Sequence, residues 1–422
     1  MNMEVLKQRF GLSYDENRNL KIDNFDLSNV DYSNVSYIYS ESTLEQSFFE
    51  YQKAFEKFNF KDFLICQSIK ANMNHGLINV LAKHGIGADT TSIGELKVAI
   101  KAGINPSKIV YSGVGKQSHE IEFALENDIL QFNVESIPEF LNIKNIAEKM
   151  QKIARVSIRV NLDIDSKTNA KIATGKADTK FGVDKNGVHE IMSAAMESKN
   201  IDFCGLSIHI GSQINDLTNF TEAFVKLKNL VSEIETGFNI KIKHLDLGGG
   251  LGISYDIFKL STSKIDYVSI IKDIFGHFSG KIIIEPGRSL VADCGFLAAK
   301  VIYIKDNHGK KFAILNAGMN NLVRPAMYGA RHEIIPLKLK DCNEEIYDFV
   351  GPICETSDVF EEGKRFQKLE AGDVMFFSCA GAYGFSMSSF YNAKPIAEEL
   401  IIRKNGKIES IGSQIDFFDL GR

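Results

Sequence analysis

Eight short apolar runs, separated by longer charged stretches with helical periodicity, constrain the fold of this chain more than any other feature. The runs span residues 63–70, 86–91, 108–113, 129–134, 155–161, 202–211, 243–250 and 281–287. Helices are predicted between them at residues 92–102, 117–126, 138–151, 187–197 and 217–236. Because strands that alternate with helices pair in parallel through right-handed crossovers, the pattern predicts an α/β fold with a (β/α)8 TIM barrel over residues 35–290. An open doubly wound sheet is the alternative, and the lack of a G-x-G-x-x-G motif after the first run disfavours it.

The pattern changes after about Leu290, where β-like alternation and tight turns replace the long helices. Residues 306–309 separate two strand-like runs, and Asn405-Gly406 predicts a hairpin with a two-residue type I′ turn. We therefore expect a second, mostly antiparallel β domain of sandwich or barrel type, formed by residues 291–422 together with residues 1–34.

Composition narrows the classes of function. A hydrophobic content of 44% and a charged content of 24% are typical of a soluble globular protein, and a net charge of −5 without a basic run argues against a nucleic-acid partner. No apolar run is long enough for a membrane span, and the first residues lack the apolar stretch of a signal peptide. The six cysteines are scattered without a C-x-x-C pair, which fits a reducing cytoplasm and predicts no metal site.

Polar residues collect at the carboxyl ends of the apolar runs, the ends that form the active-site face of a barrel. They are Lys70, Asp89, Ser112, Asn161, His209, Gly248, Gly249, Gly250 and Glu285. A lysine desolvated at a strand end can lose its proton and attack a carbonyl group, although Lys70 could equally extend to water. Three successive glycines allow backbone N–H groups to approach a phosphate, but they also suit a tight turn that needs positive φ.

Glu285 and His209, at the ends of two further apolar runs, add a carboxylate and an imidazole to the candidate site. Glu285 must be paired if it is buried, either with a ring nitrogen that it keeps protonated or with Arg288 in a structural ion pair. A histidine such as His209 is often only structural, but Gly211 and Ser212 beside it leave room for a flat or anionic ligand. An amine, a phosphate cradle, a carboxylate and an imidazole at one barrel rim together match pyridoxal phosphate.

Ten motifs, which run in order from about Tyr37 to about Leu400, resemble the alanine-racemase-like class of pyridoxal phosphate enzymes and, more closely, the diaminopimelate decarboxylase family. The motifs are residues 69–72, 111–116, 180–183, 209–213, 248–250, 285–288, 317–320, 324–328, 351–358 and 381–388. The chain departs from the usual family pattern at residues 67–69, 161–162, 169–170 and 316. None of these departures removes a catalytic residue.

The resemblance implies a role for each motif. Lys70 would bind the cofactor covalently, His209 would stack on its ring, and Cys354 would donate a proton. The implied cofactor-binding residues are Lys70, Asp89, His209, Ser212, Gly248, Gly249, Gly250, Glu285, Gly287, Arg288 and Tyr383. The implied substrate-binding residues are Arg288, Arg324, Tyr328, Glu355 and Tyr383.

The resemblance also implies a homodimer with shared active sites, because Cys354 and Glu355 would reach in from the partner protomer. Arg324 and Tyr328 are four residues apart and would share a helix face, and arginine suits a bidentate contact with a carboxylate.

The implied reaction is the decarboxylation of meso-2,6-diaminopimelate to L-lysine and CO2, the last step of lysine biosynthesis. A decarboxylase of another diamino acid, or of a siderophore or polyamine precursor, remains open on the same scaffold. An amino-acid racemase is disfavoured because racemases usually place an arginine, and not an acid such as Glu285, against the ring nitrogen. A non-catalytic carrier is disfavoured by Cys354 and Tyr383.

Overall fold

The computed structural model describes residues 3–164 and 179–421, and the chain divides into two compact units. The unit that we call the barrel unit comprises Phe48–Ile253 and Thr262–Ser289. The unit that we call the β unit comprises Met1–Ser47, Ser254–Ser261 and Leu290–Arg422. The departures from the family pattern at residues 169–170 lie outside the described residues.

Helices and strands alternate through the middle of the chain. The α-helices are α1 Met3–Phe10, α2 Glu41–Lys57, α3 His75–Ala82, α4 Ile93–Lys101, α5 Ser118–Glu126, α6 Ile137–Met150, α7 Lys185–Met196, α8 Thr218–Phe238, α9 Lys264–Phe275, α10 Arg288–Val291 and α11 Arg324–Tyr328. The strands are β1 Leu12–Tyr14, β2 Leu20–Ile22, β3 Phe25–Asp26, β4 Ser36–Ser40, β5 Phe63–Ser68, β6 Gly87–Thr90, β7 Ile109–Tyr111, β8 Gln131–Val134, β9 Ala154–Arg159, β10 Ile201–Ser207, β11 His244–Asp246, β12 Lys281–Ile284, β13 Gly295–Asn307, β14 Lys310–Leu315, β15 Ile334–Pro336, β16 Glu344–Val350, β17 Val359–Gln367, β18 Val374–Phe377, β19 Glu398–Ile402 and β20 Ile408–Gly412.

The predicted eight-stranded barrel is confirmed. Strands β5 to β12 pair in parallel and close in the order β10-β11-β12-β5-β6-β7-β8-β9, so each predicted apolar run contributes one strand. The runs are apolar because strands of a parallel barrel are buried on both faces, and Leu64, Cys66, Val110 and Ile283 form a buried cluster among them. Parallel closure brings all eight carboxyl ends to one rim, which is the condition for the expected site.

The helices of the barrel begin at defined side-chain caps. The hydroxyls of Ser92, Ser136 and Ser263 each accept the backbone N–H three residues further along, at the start of α4, α6 and α9. These caps satisfy N–H groups that have no partner within the helix. The turn from strand to helix is therefore specified locally on several sides of the barrel.

The predicted mostly antiparallel β domain is also confirmed. Nine strands form its main sheet in the order β17-β16-β14-β13-β4-β19-β20, with β18 paired to β13 and β15. Two pairs are parallel, β14 with β16 and β4 with β19, and the remaining pairs are antiparallel. Strand β4 follows the N-terminal segment and joins this sheet, while β1, β2 and β3 form a separate small antiparallel sheet.

The prediction of a type I′ turn at Asn405-Gly406 is wrong. Gly406 has φ of +76°, but Asn405 is absent from the residues with positive φ, and Arg403 N–H donates to the Lys407 carbonyl at 2.8 Å. The loop therefore has three residues and ends on a left-handed glycine, with Asn405 Oδ1 accepting the Lys407 N–H. A turn with two positive φ values occurs instead at His308-Gly309, between β13 and β14.

None of the helices in the described ranges combines the length and apolar character needed to cross a membrane.

The close approach of β10 and β11 predicts the effect of adding one methyl group. A Cβ on Gly205 would lie 1.8 Å from the His244 carbonyl oxygen, so we expect Gly205→Ala to destabilise the barrel unit by about 1–3 kcal/mol through overpacking. The measurement is the midpoint of thermal unfolding. The matched control is Gly237→Ala in α8, where an added Cβ meets nothing within 4 Å and helix propensity favours alanine by roughly 0.5–1 kcal/mol. A midpoint for Gly205→Ala at or above the wild-type value would contradict this strand pairing.

Candidate active site

Lys70 lies just beyond β5, in the 3-10 turn Ile69–Ala71, and so not within the strand as expected. The strand ends at Ser68, and Gln67 Nε2 donates to the Asn72 carbonyl at 3.0 Å, which holds the turn against the strand. Lys70 Nζ lies 3.2 Å from Asp89 Oδ2 at the end of β6. The side chain of Lys70 is 39% exposed, whereas that of Asp89 is fully buried. The amine is therefore anchored at the barrel rim and remains accessible.

Asp89 provides the negative charge next to Lys70 at the barrel rim. Burial alone would raise the pKa of Asp89, but the charge of Lys70 and the hydrogen bond from Ser68 outweigh it, so its pKa lies below the ordinary value. Ser68 Oγ donates to Asp89 Oδ2 at 2.8 Å. Among the described residues, the other oxygen, Oδ1, is buried and has no hydrogen-bond partner. A buried acceptor of this kind is suited to a donor that the site binds.

Glu285, at the end of β12, is an acid whose environment favours the protonated form. Burial, together with the charges of Asp246 and Asp89, raises the pKa of Glu285 well above its usual range. Burial also raises the pKa of Asp246, to about 6, and the two carboxyl groups share a hydrogen bond. Asn133 Nδ2 donates to Asp246 Oδ2 at 2.9 Å and to Glu285 Oε1 at 3.4 Å. The arrangement provides an acid that can hold or exchange one proton inside the barrel.

Asp246 and Asn133 are site residues that the sequence analysis missed. Each interrupts an apolar run, in Leu-Asp-Leu before the three glycines and in Phe-Asn-Val on β8. A polar side chain in the middle of a strand buried on both faces must have a partner inside the barrel. That signal was present in the sequence, but it does not identify the partner.

His209 follows β10 and is held in its neutral form. Burial, reinforced by the charges of Arg159 and Lys70, lowers the pKa of His209 to about 3. Its Nδ1 accepts the Gly249 N–H at 3.2 Å, so the ring proton is assigned to Nε2. A neutral imidazole of fixed orientation can pack against a flat ring without adding charge.

The three glycines after β11 are required by the backbone around them. The first and third have φ of +66° and +109°. A Cβ on Gly248, Gly249 or Gly250 would lie 2.2–2.4 Å from a carbonyl oxygen, that of Ile208, Glu285 or Gly211 respectively. The tight-turn interpretation therefore accounts for two of them, and close backbone approach accounts for all three. The same approach leaves a surface without side chains, which also fits a phosphate group.

Arg288 begins α10 directly after Gly287 and is buried. Its Nη2 donates to Ser212 Oγ at 3.2 Å, which links the loop after β12 to the loop after β10. The barrel unit thus brings the expected cofactor-binding residues to one rim, with the exception of Tyr383. An anchored amine, an orphaned carboxylate oxygen, an acid and a side-chain-free loop fit pyridoxal phosphate.

The remaining expected residues lie in the β unit. Arg324 and Tyr328 begin and end α11 and so share a helix, as their spacing indicated, and Arg324 is buried. Cys354 and Glu355 are exposed in the loop between β16 and β17. Tyr383 follows β18 and has a strained φ of +57°.

Cys354 and Glu355 are both held by the short segment Tyr391–Ala393. Cys354 N–H donates to Asn392 Oδ1 at 2.9 Å, and the Tyr391 hydroxyl donates to Glu355 Oε1. The backbone of Cys354 and the carboxylate of Glu355 are thus held on an exposed loop, which places the two side chains on successive residues.

Comparison with known proteins shows the family of this chain. Residues 41–292 match the family model described as pyridoxal-dependent decarboxylase, pyridoxal binding domain. The chain is 42% identical over 376 residues to a diaminopimelate decarboxylase from Aquifex aeolicus (strain VF5), covering 89% of this chain and 88% of that protein.

Two solved structures are similar over nearly the whole chain. A diaminopimelate decarboxylase from Helicobacter pylori in complex with L-lysine has a TM-score of 0.87 and 38% identity, covering 93% of this chain and 96% of that one. One from M. jannaschii, also in complex with L-lysine, has a TM-score of 0.91 and 34% identity, covering 97% and 96%.

The low pKa of His209 predicts a pH dependence of stability. Between pH 6.5, the ordinary value for histidine, and the native pKa of about 3, the unfolded chain binds a proton that the native protein does not. Stability that depends on His209 is therefore complete above about pH 6.5 and is lost as the pH falls. We expect His209→Gln to lose less stability than wild type between pH 7 and pH 5, measured by urea unfolding.

The control for this prediction is His277→Gln, which alters an exposed histidine after α9 and should leave the wild-type slope unchanged. An NMR titration of the wild-type protein gives an independent check, with the His209 ring signals assigned by their loss in His209→Gln. A change of those signals with a midpoint between pH 5 and pH 8 would contradict the assignment of a neutral ring.

Proposed function

This chain belongs to the family of pyridoxal-dependent decarboxylases, among the diaminopimelate decarboxylases, and from that premise we propose that it converts meso-2,6-diaminopimelate to L-lysine and CO2 with pyridoxal 5′-phosphate as cofactor. The observation that carries the proposal is the combination, in one chain, of a lysine anchored by Asp89 and a buried acid of raised pKa in the barrel unit with a buried arginine and an exposed Cys-Glu pair in the β unit. Two similar structures are described as complexes with L-lysine, the product that the proposal assigns.

The barrel residues would hold the cofactor and set its charge. Lys70 would bind it through the amine that Asp89 anchors, and neutral His209 would lie on the ring. When bound, pyridoxal phosphate accepts the electrons of the breaking Cα–carboxylate bond. Glu285 would keep a proton at the ring nitrogen, which strengthens that capacity. Backbone N–H groups of the glycine loop, with Ser212 and Arg288, would hold the phosphate.

Recognition of the substrate would depend on its non-reacting end. Diaminopimelate carries a carboxylate and an ammonium group at that end, so the site needs a cation and an anion beside each other. We assign the carboxylate to Arg324 and Arg288, with Tyr328 and Tyr383 as further substrate-binding residues, and the ammonium to Glu355. Substrates that lack the distal carboxylate would forgo its charge-assisted hydrogen bonds to the guanidinium groups, so they should react more slowly.

The proton balance assigns a role to Cys354. When the bond to the carboxylate breaks, CO2 leaves and Cα must gain one proton. The thiol of Cys354 would donate that proton and regain one from water before the next turnover. In this proposal Cys354 and Glu355 act in the site of the partner protomer, so the active species is a homodimer. Exposure of both residues in the single chain supports that arrangement.

The cysteines also support a location. All six are free thiols and all lie among the described residues, which is typical of a reducing compartment. We propose the cytoplasm on that ground.

The proposed reaction predicts which amino acid releases CO2. With pyridoxal phosphate supplied, we expect release from meso-diaminopimelate and at least about a hundredfold less from L-lysine or L-ornithine, because neither offers the complete distal group to Arg324 and Glu355. The measurement is CO2 formation with the three substrates at equal concentration. Faster release from ornithine or lysine would assign the chain to another decarboxylase, and racemisation without CO2 would contradict a decarboxylase altogether.

The shared site predicts complementation between two inactive variants. Lys70→Ala and Cys354→Ala should each be inactive, but after subunit exchange the mixture should regain about a quarter of wild-type activity. Half of the dimers are then mixed, and each mixed dimer has one intact site of two.

The matched control for complementation is a mixture of Lys70→Ala with the double variant Lys70→Ala/Cys354→Ala, which contains no Lys70 and should stay inactive. Absence of recovery after exchange has been verified with differently tagged chains would contradict the shared site.

A further inference from the structure

We propose that Arg9, in the N-terminal helix α1, is a positioning residue for substrate recognition, because it fixes through Tyr255 and His332 the direction in which the Arg324 guanidinium points. The inference rests on the proposed function, which assigns Arg324 to the distal carboxylate of the substrate. All the residues involved lie in the β unit.

Arg9 is buried, and each of its five N–H donors is used. Its Nε and Nη2 bind Asp293 Oδ2 and Oδ1 at 2.6 and 2.8 Å. Its Nη1 donates to the carbonyls of Asp256 at 3.2 Å and Lys259 at 3.0 Å, and its Nη2 donates to the Ser254 carbonyl. A planar guanidinium held at every donor cannot rotate. It therefore fixes the segment Ser254–Ser261 relative to α1 and Asp293.

Two of these carbonyls flank Tyr255. Arg9 thus holds the backbone on both sides of a residue whose own side chain reaches Arg324. Arg324 Nη1 donates to Tyr255 Oη at 2.6 Å, and the guanidinium carbon lies 5.0 Å from the centre of the tyrosine ring. The place of this acceptor therefore depends on the backbone that Arg9 fixes.

His332 supplies a second acceptor for the same nitrogen. Its Nδ1 lies 2.7 Å from the Ser378 carbonyl, which can only accept, so Nδ1 carries the ring proton and Nε2 accepts from Arg324 Nη1 at 3.1 Å. Cys379, which follows Ser378 in the chain, has a φ of +53°, and its sulfur lies 3.6 Å from Arg9 Nη2. Tyr255 and His332 are thus both held by segments that Arg9 contacts, which are Ser254–Ser261 and residues 378–379.

This arrangement orients a buried cation through two uncharged acceptors. Tyr255 and His332 are uncharged, and both bind Nη1, so the plane of the Arg324 guanidinium is set while its positive charge is retained. Bidentate recognition of a carboxylate requires that plane to be aligned with the ligand. A disturbed network should therefore weaken ligands that carry the distal carboxylate and spare ligands that lack it.

Two ligands that differ only in that group test the inference. L-lysine keeps the distal carboxylate and both amines, whereas 1,5-diaminopentane has the same carbon chain and amines without the carboxylate. With Tyr255→Phe in the pyridoxal phosphate-loaded enzyme, we expect the Kd of L-lysine to rise about tenfold, as for loss of one hydrogen bond to a charged group. The Kd of the diamine should change less than about twofold, and KM for diaminopimelate should rise with kcat little changed.

Arg9→Lys tests the origin of the network. Lysine keeps the charge but cannot hold Asp293 and the flanking carbonyls in one plane, so the same selective loss for L-lysine is expected. If Arg9 acts through Tyr255, the double variant should lose little more than Tyr255→Phe alone. The control is Tyr32→Phe, which removes a buried hydroxyl bound to the Leu27 carbonyl at 2.8 Å and should leave the ratio of the two Kd values at the wild-type value.

The outcomes separate this inference from the proposed function. If wild type releases CO2 from diaminopimelate and prefers L-lysine to the diamine, but Tyr255→Phe weakens both ligands equally or neither, the inference is overturned and the proposed function stands. If Tyr255→Phe is selective but Arg9→Lys is not, Arg9 has no positioning role and the inference is overturned. If Arg9→Lys fails to fold, Asp293→Asn, which weakens the contact that orients Arg9, takes its place and should give the same selective loss for L-lysine. A wild-type enzyme that neither releases CO2 nor prefers L-lysine overturns the proposed function and this inference with it.

Discussion

Three carboxyl groups buried inside one barrel are the constraint on which the rest of the site depends. Charges of the same sign in a low-dielectric interior cannot all be ionised, and the structure resolves this by giving them different partners. Asp89 has Lys70 and Ser68, which outweigh its burial and keep it ionised. For Glu285, burial and the neighbouring acids dominate, so its pKa is raised and the protonated form is favoured. Groups whose environments move their pKa values in opposite directions are typical of active sites.

That electrostatic arrangement exists because of barrel closure. Asp89, Asp246 and Glu285 lie on three different strands or their ends, far apart in the chain, and they meet only because eight parallel strands end at one rim. The glycine loop after β11 serves the same closure, since its backbone packs against carbonyls of the loops on both sides. A substitution there would separate the strand ends and disturb the proton balance among the acids. The close backbone packing at this rim and the pKa values of the three acids therefore depend on the same arrangement of strand ends.

In the β unit, two uncharged acceptors orient a buried cation. Arg324 is buried, and its orientation comes from a tyrosine and a histidine that are themselves fixed by backbone contacts. Arg9 holds the backbone on both sides of Tyr255. Through this contact the first helix of the chain is connected to Arg324, the residue proposed to recognise the substrate. On the exposed loop, Tyr391 binds the Glu355 carboxylate and Asn392 binds the backbone N–H of Cys354.

The sequence by itself determined the features that depend on residues close together in the chain. Eight apolar runs form eight strands, and the polar residues at their ends, among them Lys70, His209 and Glu285, lie at the rim. Only the tertiary structure decided what depends on residues distant in the chain. It ended β5 at Ser68 and put Lys70 in a turn, it changed the expected turn at Asn405, and it gave Asp246 and Asn133 their shared partner. The physical reason is that periodicity and turn residues act over a few neighbours, whereas the pKa of a buried acid or the direction of a guanidinium is set by groups that only folding brings within hydrogen-bond distance.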